Sequence, residues 1–517
     1  LKMNGAESLV ATARACGIDV CFANPGTTEM PLVTALDKIG GIRAILGLFE
    51  GVCTGAADGY GRMAERPAMT LLHLGPGFAN GIANLHNARR ARSPLVNVVG
   101  DHATWHRAAD APLTSDIISL AKPVSAWLRT VNSPESAALD MAAAIGAAAR
   151  FPGHVATLIV PADCQWGPAK GAAGAQTSAE PAPVQAQVVE QAASVLRGAK
   201  DCALFLGGQA LRARGLRAAA RIAAGRACAL FCETFPARVE RGPDFPALIR
   251  LPYFPEQAIE ALSPYQAIVI AGAPAPVAFF GYPNTPSYLI PQGREVAVLA
   301  RPEQDVAAAL EALADALDAP GAARASANIA RPDPPRGALT AAAAGQAIAA
   351  LAPDNAIVVD EAATSGLSFF ANACGAFTHT YLALTGGAIG QGLPCATGAA
   401  VAWPQRKVIS FQADGGGMYT LQALWTQARE NLNVTTLICN NRSYRILQIE
   451  LARAGIQEPG PSARALTELD RPALEWVHLA RGMGVPGVRV ESADALVEAL
   501  KRALAESGPR LIEMMMQ

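Results

Sequence analysis

The chain has 517 residues, a length for which three domains are the natural count rather than one. Hydrophobic residues make up 51% and charged residues 16%, so a large core can be buried and little polar surface is left over, a hint of extensive subunit contacts. The formal net charge of −1 points to neither nucleic acid nor an anionic membrane as a partner.

The ten cysteines are scattered, mostly in apolar runs. No CxxC pair occurs and no His cluster has zinc spacing, so the cysteines read as reduced core thiols of a cytoplasmic protein. Leu1-Lys2 reads as extra sequence ahead of a start at Met3, and no signal peptide opens the chain. The uncharged stretch Ile268–Tyr282 is broken by Pro274 and Pro276 and is not expected to span a membrane.

Composition separates three segments, residues 3–166, 184–318 and 338–517. Ala/Pro/Gly/Ser-rich linkers, Gly167–Pro183 and Ala319–Gly337, join them. Each segment alternates short apolar runs with alanine-rich helical patterns, which predicts an α/β fold with parallel sheets.

The first segment opens with a predicted helix, Gly5–Cys16, and a strand, Val20–Phe22, that feeds Asn24-Pro25-Gly26-Thr27. Glu50 then ends an apolar run and precedes a helix, Val52–Met63, that contains Asp58-Gly59-Tyr60-Gly61-Arg62. Taken alone, Glu50 is a helix N-terminal acid favoured by the macrodipole. A third strand carries His73 into a predicted turn, Gly75-Pro76-Gly77, and a helix holding Asn80. Taken alone, His73 is a satisfied core histidine. Arg92-Ser93-Pro94-Leu95 leads into a strand ending at Gly100-Asp101. The arginines Arg89, Arg90 and Arg92 read as a solvated helix face.

The third segment carries the most informative stretch, Phe411–Tyr444. It reads as strand, Gly-rich turn (Gly415, Gly416, Gly417), helix, strand and polar turn (Asn440-Asn441). In a parallel βαβ unit both turns fall at the carboxyl edge of the sheet, so Asp414 and Asn441 can face one site. One anionic and one neutral hard oxygen suit Mg²⁺, whose shell is completed by phosphate and water. The glycines let the backbone approach a phosphate with N–H groups free.

This stretch resembles the thiamine-diphosphate signature, with Ala413 where the first Gly is usual. The resemblance extends to Asn24-Pro25-Gly26, Glu50, Asp58-Gly59-Tyr60, Gly75-Pro76-Gly77, Ser93-Pro94-Leu95, Asp360-Glu361 and Leu384–Pro394. In that order these motifs are similar to the acetolactate synthase, benzoylformate decarboxylase and pyruvate oxidase superfamily.

The resemblance implies three doubly wound parallel-sheet domains: pyrimidine-binding, central Rossmann-like and diphosphate-binding. It implies a homodimer or homotetramer with sites between subunits, and a small 2-oxo acid as substrate. Mg²⁺ would sit on Asp414, Asn441 and the carbonyl of Ser443. Gly415, Gly416 and Thr364 would contact the diphosphate; Asn24, Pro25, Gly26, Asn80 and Tyr444 are further cofactor neighbours. Glu50 would bond the aminopyrimidine and drive formation of the C2 carbanion. The carbonyl of Gly387 would accept from the amino group, and Ile389 would wedge the rings into a bent shape. His73 matches an active-site histidine of benzoylformate decarboxylase, with Thr27, Leu113 and Thr114 lining the substrate pocket.

The fate of the enamine stays open: protonation, ligation to a second carbonyl, or oxidation. No histidine lies near Phe279-Phe280-Gly281-Tyr282, which departs from a benzoylformate decarboxylase. Phe49 replaces a usual His of acetolactate synthase, and the Gly207-Gly208 turn lacks a flavin pattern, so FAD is not expected. A non-catalytic paralogue acting as a binding or regulatory subunit is the alternative. A dinucleotide dehydrogenase lacks its GxGxxG here.

Overall fold

The computed structural model describes residues 3–175, 180–321 and 330–516. Leu1-Lys2 and parts of both linkers, 176–179 and 322–329, lie outside the described residues.

The first parallel sheet contains β1 (Val20–Asn24), β2 (Arg43–Leu46), β3 (Ala68–Leu72), β4 (Leu95–Asp101), β5 (Trp127–Thr130) and β6 (Val155–Pro161). Its order is β2-β1-β3-β4-β6-β5. The next strands in the chain are β7 (Cys202–Leu206), β8 (Ala229–Cys232), β9 (Val239–Arg241), β10 (Ile249–Arg250), β11 (Ala267–Ala271) and β12 (Glu295–Ala300). Five of them form the second sheet, ordered β10-β8-β7-β11-β12 and parallel throughout. The third sheet takes β13 (Ala356–Glu361), β14 (His379–Ala383), β15 (Val408–Ala413), β16 (Val434–Asn440), β17 (Gly487–Val490) and β18 (Arg510–Met515). Its order is β9-β14-β13-β15-β16-β18-β17, and β9 alone runs antiparallel. A strand from the middle segment thus completes the sheet of the last one. A two-stranded pair, Met3–Asn4 with Pro168–Ala169, ties the start of the first segment to its end.

Strand composition explains the architecture. β11, Ala-Ile-Val-Ile-Ala, and β16, Val-Thr-Thr-Leu-Ile-Cys-Asn, are buried along their whole length. Strands buried along their whole length suit parallel sheets covered on both faces, as the alternation of elements predicts.

Five helices position the site: α1 (Glu50–Ala64), α2 (Leu74–Ala91), α3 (Gly392–Ala402), α4 (Ala423–Arg429) and α5 (Arg445–Arg453). α1 packs on α3 along small residues. A Cβ on Gly59 would strike the main chain of Cys395, and one on Gly398 would strike the carbonyl of Ala56. Glycine is what allows the two backbones to approach this closely. At the far end of α1, Arg62 holds Asp58 bidentately at 2.8 and 2.6 Å and donates to the carbonyl of Ala383 at 2.7 Å. First and third segments therefore meet within a single chain.

Two expectations are corrected. Gly75-Pro76-Gly77 does not form a turn but lies in the first turn of α2, after Leu74 at φ +52. Proline is tolerated there because its missing N–H would have had no intrahelical partner. Eight cysteines are free, but Cys202 and Cys228 are joined as a disulfide with Cα atoms 5.0 Å apart. The register of β7 and β8, Ala203 opposite Ala229, sets the two preceding residues side by side. Among the described residues no helix is long and apolar enough to cross a membrane.

Candidate active site

The candidate diphosphate end is built on neighbouring parallel strands. β15 ends at Ala413 opposite Cys439 of β16, so Asp414 and the 441–444 turn leave the same sheet edge. Asp414 Oδ1 accepts from the Gly415 amide and Oδ2 from the Arg442 amide, both at 2.8 Å. Asp414 is buried, and loss of hydration pushes its carboxyl up to about 6 against the pull of these amides. A buried carboxyl bonded by backbone amides is a group whose charge a cation would stabilise. Asn441 Oδ1 accepts from the Ser443 amide at 3.0 Å and from Ser443 Oγ at 3.3 Å, which orients the side chain; a turn of the hydroxyl frees one lone pair for a cation. A Cβ on Gly415 would collide with the Tyr444 ring, so this turn keeps its space only with glycine. Asp414–Gly417 forms one short helical turn, with its amide end at this edge. Thr364 follows β13, the next strand over, in the short turn Ala363–Ser365. The donor set thus fits a divalent cation with a diphosphate.

A second group of residues lies on the first sheet. Glu50 starts α1 and is half-buried; Asn80 of α2 donates to its Oε2 at 2.9 Å. A Cβ on Gly77 would come within 3.0 Å of Glu50 Oε1. Asn24 donates to the carbonyl of Gly47 at 2.9 Å and fixes the loop entering Pro25-Gly26. His73 lies beside Gly26, where a Cβ would collide with the imidazole.

Here the structure supplies two residues that sequence reasoning missed. His73 Nδ1 is 2.7 Å from Glu29 Oε2 and 3.3 Å from Thr28 Oγ1. Glu29 is fully buried and also accepts from the Gly26 amide at 2.7 Å and from Thr28 Oγ1 at 2.5 Å. With Nδ1–H donated to Glu29, Nε2 is the free acceptor. Thr27 is exposed, Leu113 is 40% exposed, and Thr114 Oγ1 is buried without a partner.

The loop carrying Gly387 and Ile389 joins the two groups. Asn84 donates to the carbonyls of Gly51, at 2.8 Å, and Gly390, at 3.4 Å. Gly387 adopts φ +76, and a Cβ on it would lie 3.8 Å from the Phe279 ring. The middle segment therefore brings an aromatic ring, stacked edge-on with Phe235 at 5.1 Å, to this loop. Arg89 and Arg90 are solvent-exposed as expected, while Arg92 pairs with Glu303 at 2.6 Å.

Glu361, at the end of β13, lies beneath the same loop. It accepts from the amides of Gly390, at 2.5 Å, and Gly392. Burial pushes its carboxyl up from 4.5 to about 7. An acid whose folded pKa is raised contributes stability below its unfolded pKa and loses that contribution as pH rises through the folded one. Between pH 4.5 and about 7, Glu361 should therefore cost the protein about 3 kcal/mol. Urea denaturation across this range should show a drop that Glu361→Gln flattens.

Comparison with known proteins identifies the family. The description "Thiamine pyrophosphate enzyme, N-terminal TPP binding domain" matches residues 3–120, and its C-terminal TPP binding domain counterpart matches residues 369–514. The chain belongs to the thiamine pyrophosphate enzyme family, with acetolactate synthase-like and benzoylformate decarboxylase-like relatives. It is 51% identical over 513 residues to the provisionally assigned acetolactate synthase large subunit IlvX of Mycobacterium tuberculosis, covering 99% of this chain and 98% of that one. It is 30% identical over 525 residues to the benzoylformate decarboxylase of Pseudomonas aeruginosa, covering 96% of each. In fold it is similar to the thiamine diphosphate-dependent 4-hydroxybenzoylformate decarboxylase of Rhodococcus jostii RHA1, with a TM-score of 0.88, 24% identity and 99% of both chains covered.

Proposed function

We propose that this chain is a Mg²⁺- and thiamine-diphosphate-dependent decarboxylase or carboligase acting on a 2-oxo acid. The observation that carries this reading is that one chain holds both halves of such a site. A buried carboxyl bonded by backbone amides, Asp414, stands beside Asn441, and the Glu50 helix is joined to the Gly387–Ile389 loop through Asn84. Thiamine diphosphate, when bound, supplies the electron sink that makes loss of carbon dioxide from a 2-oxo acid feasible.

The chain's own residues would do the rest. Asp414, Asn441 and the Ser443 carbonyl would hold the cation. Gly415, Gly416 and Thr364 would face the diphosphate, with Tyr444 closing that end. Asn24, Pro25, Gly26 and Asn80 would wall the pyrimidine side, Gly387 would accept from its amino group, and Ile389 would support the bend. Glu50 would hold and move a proton at its carboxylate. His73, oriented through Nδ1 by Glu29, would exchange a proton with substrate at Nε2, beside Thr27, Leu113 and Thr114.

A panel of aliphatic and aromatic 2-oxo acids, scored for carbon dioxide, aldehyde and acyloin, tests the reaction. Absence of both carbon dioxide release and Mg²⁺-dependent thiamine diphosphate binding would refute it. Glu29→Gln should lower turnover by about 10²-fold, since a Gln can present an N–H to Nδ1 and reverse the tautomer. The KM for thiamine diphosphate should stay near the wild-type value, because Glu29 lies on the His73 side.

The same reading makes the protein a cytoplasmic homodimer or homotetramer with active sites between subunits, the Glu50 end of one subunit facing the Asp414 end of another. Large apolar side chains left exposed close in sequence to Glu29 and Glu50, Met30 at 44% and Leu48 at 46%, support an interface there. Sedimentation velocity would measure the assembly.

A further inference from the structure

Most residues of the 385–392 loop are held by a side chain from elsewhere, and α2 supplies three of the holders. Asn87 is fully buried and grips Ala388 through the two peptides that flank it: its Nδ2 donates to the Ala388 carbonyl at 2.8 Å, and its Oδ1 accepts from the Ala388 amide at 3.3 Å. The remaining Nδ2 hydrogen goes to Asn84 Oδ1 at 3.0 Å. That bond fixes Asn84 with its own amide nitrogen toward Gly51 and Gly390. His86 Nε2 lies 3.1 Å from the Gly386 carbonyl.

This pattern has a physical consequence. An amide side chain has a donor end and an acceptor end, and the N–H and C=O of one residue offer one of each. Asn87 therefore reads the direction of the chain at Ala388, not just its position. The Ala388 amide shares a planar peptide with the Gly387 carbonyl and the Ala388 carbonyl shares one with the Ile389 amide, so this grip sets where the Gly387 carbonyl and the Ile389 side chain point. Asn84 links that register to Gly51, the residue after Glu50. Solvent exposure does not explain the pair, because both are buried, at 3% and 0%. Nor does helix formation, for which Asn is a poor choice.

We propose that Asn84 and Asn87 are positioning residues that hold the Gly387–Ile389 loop in one direction against the Glu50 helix. The proposal rests on the roles assigned above to Glu50, Gly387 and Ile389.

The test uses Asn87→Ala and Asn84→Ala in the full chain. Amide hydrogen exchange, followed by mass spectrometry in the cofactor-free protein, should speed up about tenfold or more in the peptide covering 385–392. The core strand 434–440 should exchange as in wild type. In the loaded enzyme, kcat should fall about tenfold, while the affinity for Mg²⁺–thiamine diphosphate changes less than about threefold. Unchanged exchange at 385–392 overturns the proposal. So does a uniform rise that includes 434–440, which would mark a merely structural role. If Asn87→Ala shows no cooperative unfolding, Asn84→Ala decides, because Gly51 and Gly390 keep other partners in Thr54 and Thr420. If wild type binds no thiamine diphosphate, the cofactor reading falls and the exchange result still judges the clamp.

Discussion

Glu50→Gln is expected to lower turnover by about 10²- to 10⁴-fold while leaving the affinity for Mg²⁺–thiamine diphosphate within a few-fold of wild type. Glutamine has nearly the shape of glutamate, so the packing of α1 on α2 should survive. Its carbonyl oxygen can still accept from Asn80, as Glu50 Oε2 does at 2.9 Å. Its amide can still donate a hydrogen bond into the site. It cannot take up and return a proton. The substitution therefore separates binding from proton transfer, which few other positions would do. Turnover within about twofold of wild type would show that Glu50 is not the proton-carrying group. Turnover and cofactor affinity falling in parallel would show that it holds the cofactor and does no more.

The proposed diphosphate end is legible in the sequence because its signal is local. Strand, glycine turn, helix, strand and Asn-Asn turn follow one another within Phe411–Tyr444, and parallel pairing brings the two turns together. The Ala413 departure strains no backbone. Its φ of −75 and ψ of 146 are open to any residue, so a glycine is not needed there. The α/β class was legible for the same reason, since strand and helix periodicities are read over a few residues.

Other features depend on approaches between distant residues and left no local mark. Glu29 looks like an ordinary acid at a helix start, and only the fold sets it behind His73. Phe279 reads as one more aromatic in a Pro-rich loop until the third sheet places Gly387 beside it. Asn84 and Asn87 occupy helix positions that period 3.6 marks only as inward-facing. Their partners, Gly390 and Ala388, are about 300 residues away. The strand Val239–Arg241 was hidden because its partner, β14, belongs to another segment.

Asp414→Asn should abolish the effect of Mg²⁺ and thiamine diphosphate on stability without weakening the cofactor-free protein much. Removing even an outer partner of a metal ligand costs about 10- to 100-fold in affinity, so loss of a direct ligand's charge should cost at least about 100-fold. In the wild type, cofactor at about 100 times its Kd adds about 2.7 kcal/mol, and the variant should show almost none of it. The cofactor-free balance is different. Asp414 gives one oxygen to Gly415 and the other to Arg442, so an Asn must turn its NH₂ toward one of these amides. That costs about 1–3 kcal/mol. Against this, the carboxyl is buried and its charged form is disfavoured there, as its rise to about 6 shows, so the neutral amide relieves a strain of similar size. The two terms oppose each other and the apoprotein should melt close to wild type. Thermal melts of both proteins, with and without Mg²⁺ and thiamine diphosphate, give the four numbers needed. A variant that melts like wild type alone yet fails to rise on loading identifies Asp414 as a cation ligand. A variant that rises as much as wild type would place the cation elsewhere, and a variant that melts much lower unloaded would make Asp414 a residue of the fold first.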